Sequence, residues 1–131
     1  FIGGITLFTL LLVWGIITYA LAPQYNRNIR NKLDAKAAAI TALQQFNFTK
    51  AFMGANGVAL GAGFTTPDPE EAAVKAMASR RARETWFLVD DSKFARIYPA
   101  VIADLQGGAI LTNRCPNPKY KQFTLVKETE V

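Results

Sequence analysis

The chain has 131 residues, half of them hydrophobic, which suffices for one domain with a real core and is too short for two. Its formal charge of +5 favours an anionic partner: nucleic acid, acidic lipid or a phosphorylated small molecule. Histidine is absent and Cys115 is the only cysteine, which excludes an intramolecular disulfide, a His/Cys zinc site and every His-based triad. No metal and no cofactor are expected.

The first predicted segment is "FIGGITLFTLLLVWGIITYALA", Phe1 to Ala22, with no charge before Arg27. Hydropathy alone reads it as a membrane span of about 20 residues. The alternative is a pair of buried strands, "FIGG" and "VWGIITY", around a more helical "LFTLLL", because buried parallel strands also give near-continuous apolar runs. It lacks the basic n-region of a signal peptide. A basic stretch with Arg27, Arg30 and Lys32 follows, and then a helix from about Asp34, with Ala39, Ile40 and Leu43 at helical spacing.

"AFM", Ala51 to Met53, reads as a strand running into the turn Gly54-Ala55-Asn56-Gly57. In "PDPEEAAVKAMASRRARE", Asp68 caps a helix, Pro69 suits its first position and Glu71 completes a capping-box spacing. Thr85 to Val89, "TWFLV", reads as a central parallel strand opening onto "DDSKFAR". Further strands are expected at Ala109–Thr112 and Phe123–Val126. Strands alternating with helices imply an α/β fold: an open, mostly parallel sheet with helices on both faces.

In such sheets ligands sit beyond the carboxyl ends of the strands. Three ends carry suitable chemistry: Gly3, Gly4 and Thr6; Gly54, Asn56 and Gly57; and Asp90, Ser92 and Lys93. Glycines let backbone N–H groups approach an anion, hydroxyls add donors and a lysine supplies a charge suited to phosphate. Plainer readings stand beside each. The Gly54–Gly57 turn can be an ordinary positive-φ turn, and Asp90 with Lys93 a surface ion pair. Glu71 and Lys75 fit a helix-supporting i,i+4 pair, and Arg80, Arg81 and Arg83 a solvated helix end.

The linked motifs "FNFTKAFMGANG", "GFTTPDPEEAAVK" and "DDSKFAR", in a stretch from about Tyr25 to Arg114, resemble the C-terminal effector-sensing domain of the DeoR family of bacterial transcriptional regulators. That resemblance implies a fold similar to ribose-5-phosphate isomerase and glucosamine-6-phosphate deaminase, and a phosphorylated sugar or related metabolite as effector. It implies a sensor, not an enzyme, in the cytoplasm, as a homo-oligomer. It casts "FIGGITLFTLL" as a first turn and helix and "VWGIITYALA" as a second strand, with no membrane contact. Matched motifs assign effector binding to Gly4, Thr6, Gly54, Asn56, Gly57, Asp90 and Lys93, with Thr18 added near the polar turn. The whole chain, residues 1–131, then reads as one sensor domain. Operator DNA would be read by an N-terminal winged helix-turn-helix, which nothing before Phe1 supplies.

The sequence departs from the family at Asn31, Asp34 and Ala35, where Ser and an apolar-Gly-Pro turn are usual, and at Asn113, where aspartate is common. A sugar-phosphate isomerase on the same fold would need a carboxylate base, where the turn offers Asn56, leaving Asp90 as the motif carboxylate to test. A membrane-anchored domain using residues 1–22 is the other alternative, with Arg27, Arg30 and Lys32 on the cytoplasmic side.

Overall fold

A computed structural model of the chain describes residues 2–130, with side chains described for residues 3–16 and 27–130. The chain divides into two compact units, Phe1–Ala37 and Ala38–Val131.

Helix α1, Ile2–Gln44, supplies the first unit and continues into the second. This corrects the expectation of strands at "FIGG" and "VWGIITY": the backbone is helical from Ile2 onward, and Gly3, Gly4 and Gly15 lie within the helix. Leucine-rich sequence satisfies its backbone locally in a helix, whereas a strand needs a neighbour to pair with. Thr9 does the same with its side chain, its hydroxyl donating to the Ile5 carbonyl one turn back (2.8 Å). The helix expected from Asp34 is therefore the last part of a longer one. Among the described residues, no helix is long and apolar enough to cross a membrane.

The second unit is built on a four-stranded parallel sheet in the order β1 (Phe48–Gly54), β4 (Ala82–Leu88), β6 (Ala109–Thr112), β7 (Val126–Glu128). A three-stranded antiparallel sheet that sequence reading did not anticipate joins β2 (Gly57–Ala59), β3 (Gly63–Thr66) and β5 (Ala100–Ala103). Helix α2, Pro69–Arg81, packs on β1 and β4 and also on β3 and β5. The fold is α/β with a mostly parallel sheet, as expected.

Helix α2 starts where its sequence dictates. The Asp68 carboxylate accepts the N–H groups of Glu70 (2.9 Å) and Glu71 (3.4 Å), and Pro69 occupies the first helical position. The helix ends when the Ala82 N–H donates to Ser79 O, and β4 begins at that residue. Strand β4 starts earlier than the apolar run predicts because Ala82 and Glu84 already pair with Phe48 and Lys50 of β1, with Lys50 and Glu84 3.6 Å apart across the strands. The last strand shifts in the opposite direction. Phe123 has helical dihedrals and closes the 3₁₀ turn Pro118–Gln122, so β7 covers Val126–Glu128 where Phe123–Val126 was expected.

The core lies between the two sheets and α2. Phe64 of β3 and Phe87 of β4, both fully buried, stack with centroids 3.7 Å apart, and Phe94 meets Tyr120 edge to face at 4.9 Å. Each buried aromatic ring contributes roughly 1.5–3 kcal/mol through the water it sheds. Gly63, with φ of 75°, lets β3 and β5 of the antiparallel sheet approach closely: a Cβ there would lie 2.3 Å from the Ala103 carbonyl.

Candidate functional site

Because β1, β4, β6 and β7 run in parallel, their carboxyl ends fall on one edge. The register sets Gly54 beside Leu88, Leu88 beside Leu111 and Thr112 beside Glu128. A groove of about 370 Å³ opens there, lined by Leu88, Val89, Asp90, Leu111, Thr112, Asn113 and Thr129. A bridge between Val58 and Phe94 holds the chain after the Gly54–Gly57 turn against the loop after β4. Gly54, Asn56 and Gly57 after β1, and Asp90 and Lys93 after β4, thus belong to loops at this edge; of the five, Asp90 lines the groove.

Asp90 caps the 3₁₀ turn Asp91–Lys93. Its carboxylate accepts the Ser92 N–H (2.8 Å) and the Ser92 hydroxyl. These bonds, the hydroxyl's first, hold the Asp90 carboxyl below the usual carboxylate range, with Lys93 and Arg96 adding positive charge nearby. Asp90 is therefore a fixed anion and acceptor at neutral pH. Lys93 is half-buried, and its ammonium joins no hydrogen bond or ion pair among the described residues. It is available to an incoming anion.

The Gly54–Gly57 turn is held differently from the positive-φ turn that its composition suggests, since none of its residues has positive φ. The Asn56 N–H donates to Thr65 O (3.1 Å), and its side-chain oxygen accepts the Thr66 hydroxyl (3.0 Å). With that oxygen engaged, the Asn56 amide nitrogen bonds to nothing among the described residues and keeps two donors. Gly57 is required by crowding: a Cβ would stand 2.4 Å from the Arg96 carbonyl and 2.8 Å from Thr65 Oγ1.

Sequence reading missed two groups at this edge. Lys75 is more than a helix-supporting partner of Glu71: its ammonium pairs with Glu71 and donates to the Gly54 carbonyl (2.8 Å), pinning the end of β1 to α2. Its spacing from Glu71 was visible, but a contact across 21 residues was not. Asn113 had been noted only as a departure. Its side-chain oxygen accepts the Asp91 N–H (2.8 Å) and its amide donates to the Asp91 carboxylate (3.2 Å), which Arg114 also meets at 3.2 Å. An aspartate at 113 would lose that donor and face a second carboxylate.

The remaining predicted residues belong to the first unit. Gly4 and Thr6 are exposed in the opening turns of α1, in the first unit, where no strand-to-helix turn forms. The side chain of Thr18 lies outside the described residues. A larger concavity of about 580 Å³ occupies the opposite, amino-terminal edge of the sheet, where Arg80, Arg81 and Arg83 surround Asn47 and Thr49. Arg81 is structural there, its Nε donating to Phe46 O (2.9 Å).

Residues 25–113 match the family described as DeoR C terminal sensor domain. The chain is similar to the uncharacterized HTH-type transcriptional regulator FruR of Bacillus subtilis (strain 168), 39% identical over 93 residues, which cover 69% of this chain and 37% of that protein. It is also similar to the HTH-type transcriptional regulator IolR of the same organism, 36% identical over 72 residues, 55% of this chain and 28% of that protein. These matches span well under half the length of either relative.

Proposed function

The chain belongs to the DeoR family through its C-terminal sensor domain, and on that premise we propose that it binds a phosphorylated sugar or related metabolite at the carboxyl edge of its parallel sheet. Occupancy would alter operator binding by a helix-turn-helix domain of the full regulator, acting as a homo-oligomer in the cytoplasm. The domain is a sensor, not a catalyst, so binding without turnover is the expected behaviour.

One observation carries the reading. The Lys93 ammonium and the Asn56 amide nitrogen, neither with a partner among the described residues, and the ionised Asp90 carboxylate belong to neighbouring loops of one sheet edge. A cation beside an anion and neutral donors suits a ligand that is itself a phosphate joined to a polyol: the lysine takes the phosphate, the carboxylate accepts from hydroxyls and the amide donates to them. Regulation requires that the ligand favour one conformation or assembly over another, since equal affinity for both shifts nothing.

A thermal-shift titration with hexose and pentose phosphates, each beside its unphosphorylated sugar, tests this. Ligand at a hundredfold excess over Kd adds about 2.7 kcal/mol of stability. Lys93→Ala is expected to abolish the difference between phosphorylated and plain sugars, and Asp90→Asn to weaken both. No stabilisation by any sugar phosphate, in a sample with a cooperative melt, refutes the proposal.

A further inference from the structure

A feature outside the sensor match points to a second partner. Ile5, Leu7, Phe8, Leu10, Leu11, Leu12, Val13, Trp14 and Ile16 of α1 are all between 48 and 69% exposed. Placed at 100° per residue, these nine side chains leave no arc of the helix wider than about 60° free of a large apolar group. A protein groove covers one stripe of a helix; a helix apolar on all sides needs an apolar medium around it. Thr9 fits that medium, since it spends its hydroxyl on the Ile5 carbonyl. No charge occurs before Arg27, and then Arg27, Arg30 and Lys32 follow within six residues.

The expectation of no membrane contact came from reading residues 1–22 as the sensor domain's own strand, turn and helix. Neither support for it survives: the segment is helical, and the family match begins at residue 25. We propose that residues 3–16 of α1 insert into the hydrocarbon of a lipid bilayer with an acidic surface, against which Arg27, Arg30 and Lys32 rest. Residues 3–16 rise about 21 Å, less than a hydrocarbon core of about 30 Å, and about 16 Å more of the same helix separates Ile16 from Arg27, so a tilted insertion, not a perpendicular crossing, is what brings both to the membrane. The basic flank places the rest of the chain on the cytoplasmic side, where it would still meet an effector.

The test is flotation of the whole chain with phosphatidylcholine vesicles, with and without phosphatidylglycerol. Trp14 emission is read in a Trp86→Phe background, using brominated acyl chains as quenchers. The wild type is expected to float, with Trp14 blue-shifted and quenched. Leu11→Glu and Val13→Glu, on nearly opposite sides of the helix, should each reduce binding roughly a hundredfold, with helicity by circular dichroism unchanged because both side chains point to solvent. Each of Arg27→Gln, Arg30→Gln and Lys32→Gln should weaken binding to the acidic vesicles roughly fivefold. Failure to float overturns the proposal. So does loss in only one of the two glutamate variants, which marks a one-sided contact, or lipid-independent shielding of Trp14 with a higher mass, which marks a second copy of the chain. Equal flotation with and without phosphatidylglycerol overturns the acidic-surface part.

Discussion

Gly54 and Gly57 bracket the turn that the sequence presents as a unit, yet the structure asks different things of them. At Gly57 an added Cβ would meet the Arg96 carbonyl at 2.4 Å and Thr65 Oγ1 at 2.8 Å. The first is backbone, held by the neighbouring bridge between Val58 and Phe94, and Thr65 is fully buried while accepting the Tyr98 N–H at 3.0 Å. Neither neighbour can swing away. Relief requires moving one chain by about an ångström, so Gly57→Ala should cost on the order of the overpacking penalty, roughly 1–3 kcal/mol. At Gly54 the nearest atom is the Leu88 carbonyl at 4.0 Å, an ordinary contact, and φ is not positive. Gly54→Ala should therefore be neutral or stabilise by roughly 0.4–1 kcal/mol through a less flexible unfolded chain. For a unit of this size each kcal/mol shifts the midpoint by about 4–8 °C, so Gly57→Ala should melt roughly 5–20 °C below wild type. Gly54→Ala should melt at or slightly above it. Trp86 fluorescence in a Trp14→Phe background reports the second unit directly. Equal shifts for the two variants, or an unchanged midpoint for Gly57→Ala, would refute the close-approach argument.

Asn113→Asp replaces the donor to Asp91 with a second carboxylate at an exposed site, and is expected to lower stability by under about 1 kcal/mol, with the loss shrinking in high salt; urea melts at two ionic strengths check it. Tyr120→Phe removes a buried hydroxyl that donates to Val58 O (3.2 Å) and accepts the Ala95 N–H (3.3 Å), and should cost about 1 kcal/mol in the same assay. Lys75→Met frees the Gly54 carbonyl and Glu71, and should weaken effector binding more than it lowers the melting point, as paired titrations and melts would reveal. Asp90 and Glu128 both have depressed carboxyl pKa values, so their stabilisation is present above the ordinary carboxylate range and lost as pH falls through and below it. The melting-point gap between wild type and Asp90→Asn should accordingly narrow in acid, and a gap that widened would contradict the assigned hydrogen bonds.

What was legible in the sequence was what is decided over a few residues. Asp68-Pro69 fixes the start of α2 through its own hydrogen bonds, and the apolar runs at Ala51–Met53, Thr85–Val89 and Ala109–Thr112 each became a strand of the parallel sheet. Strands β2, β3 and β5 were not legible. Their pairing depends on partners such as Phe64 with Ala103, and on Gly63 admitting the Ala103 carbonyl, neither of which leaves a local pattern. The site divides in the same way. Asp90 and Ser92 form a contact two residues apart, whereas Lys75 with Gly54, and Asn113 with Asp91, join segments more than twenty residues apart.

The first 22 residues show where an argument from resemblance stops. Motifs at Phe46–Gly57, Gly63–Lys75 and Asp90–Arg96 are specific to a sensor domain because their glycines, caps and charges have fixed tasks in one geometry, and that specificity extends only as far as the residues that carry it. Gly4, Thr6 and Thr18 lie outside those motifs, in a segment with a hydropathy signal of its own. The helix at Ile2–Gln44 and the match beginning at residue 25 return that segment to its own physics. Apolar side chains about half or more exposed to water cost about 25 cal/mol for each Å² left exposed. Glutamate substitutions on opposite faces decide between two environments for that surface: if α1 is indifferent to lipid and to both substitutions, it stays in water; if both abolish binding, the hydrocarbon of a bilayer surrounds it.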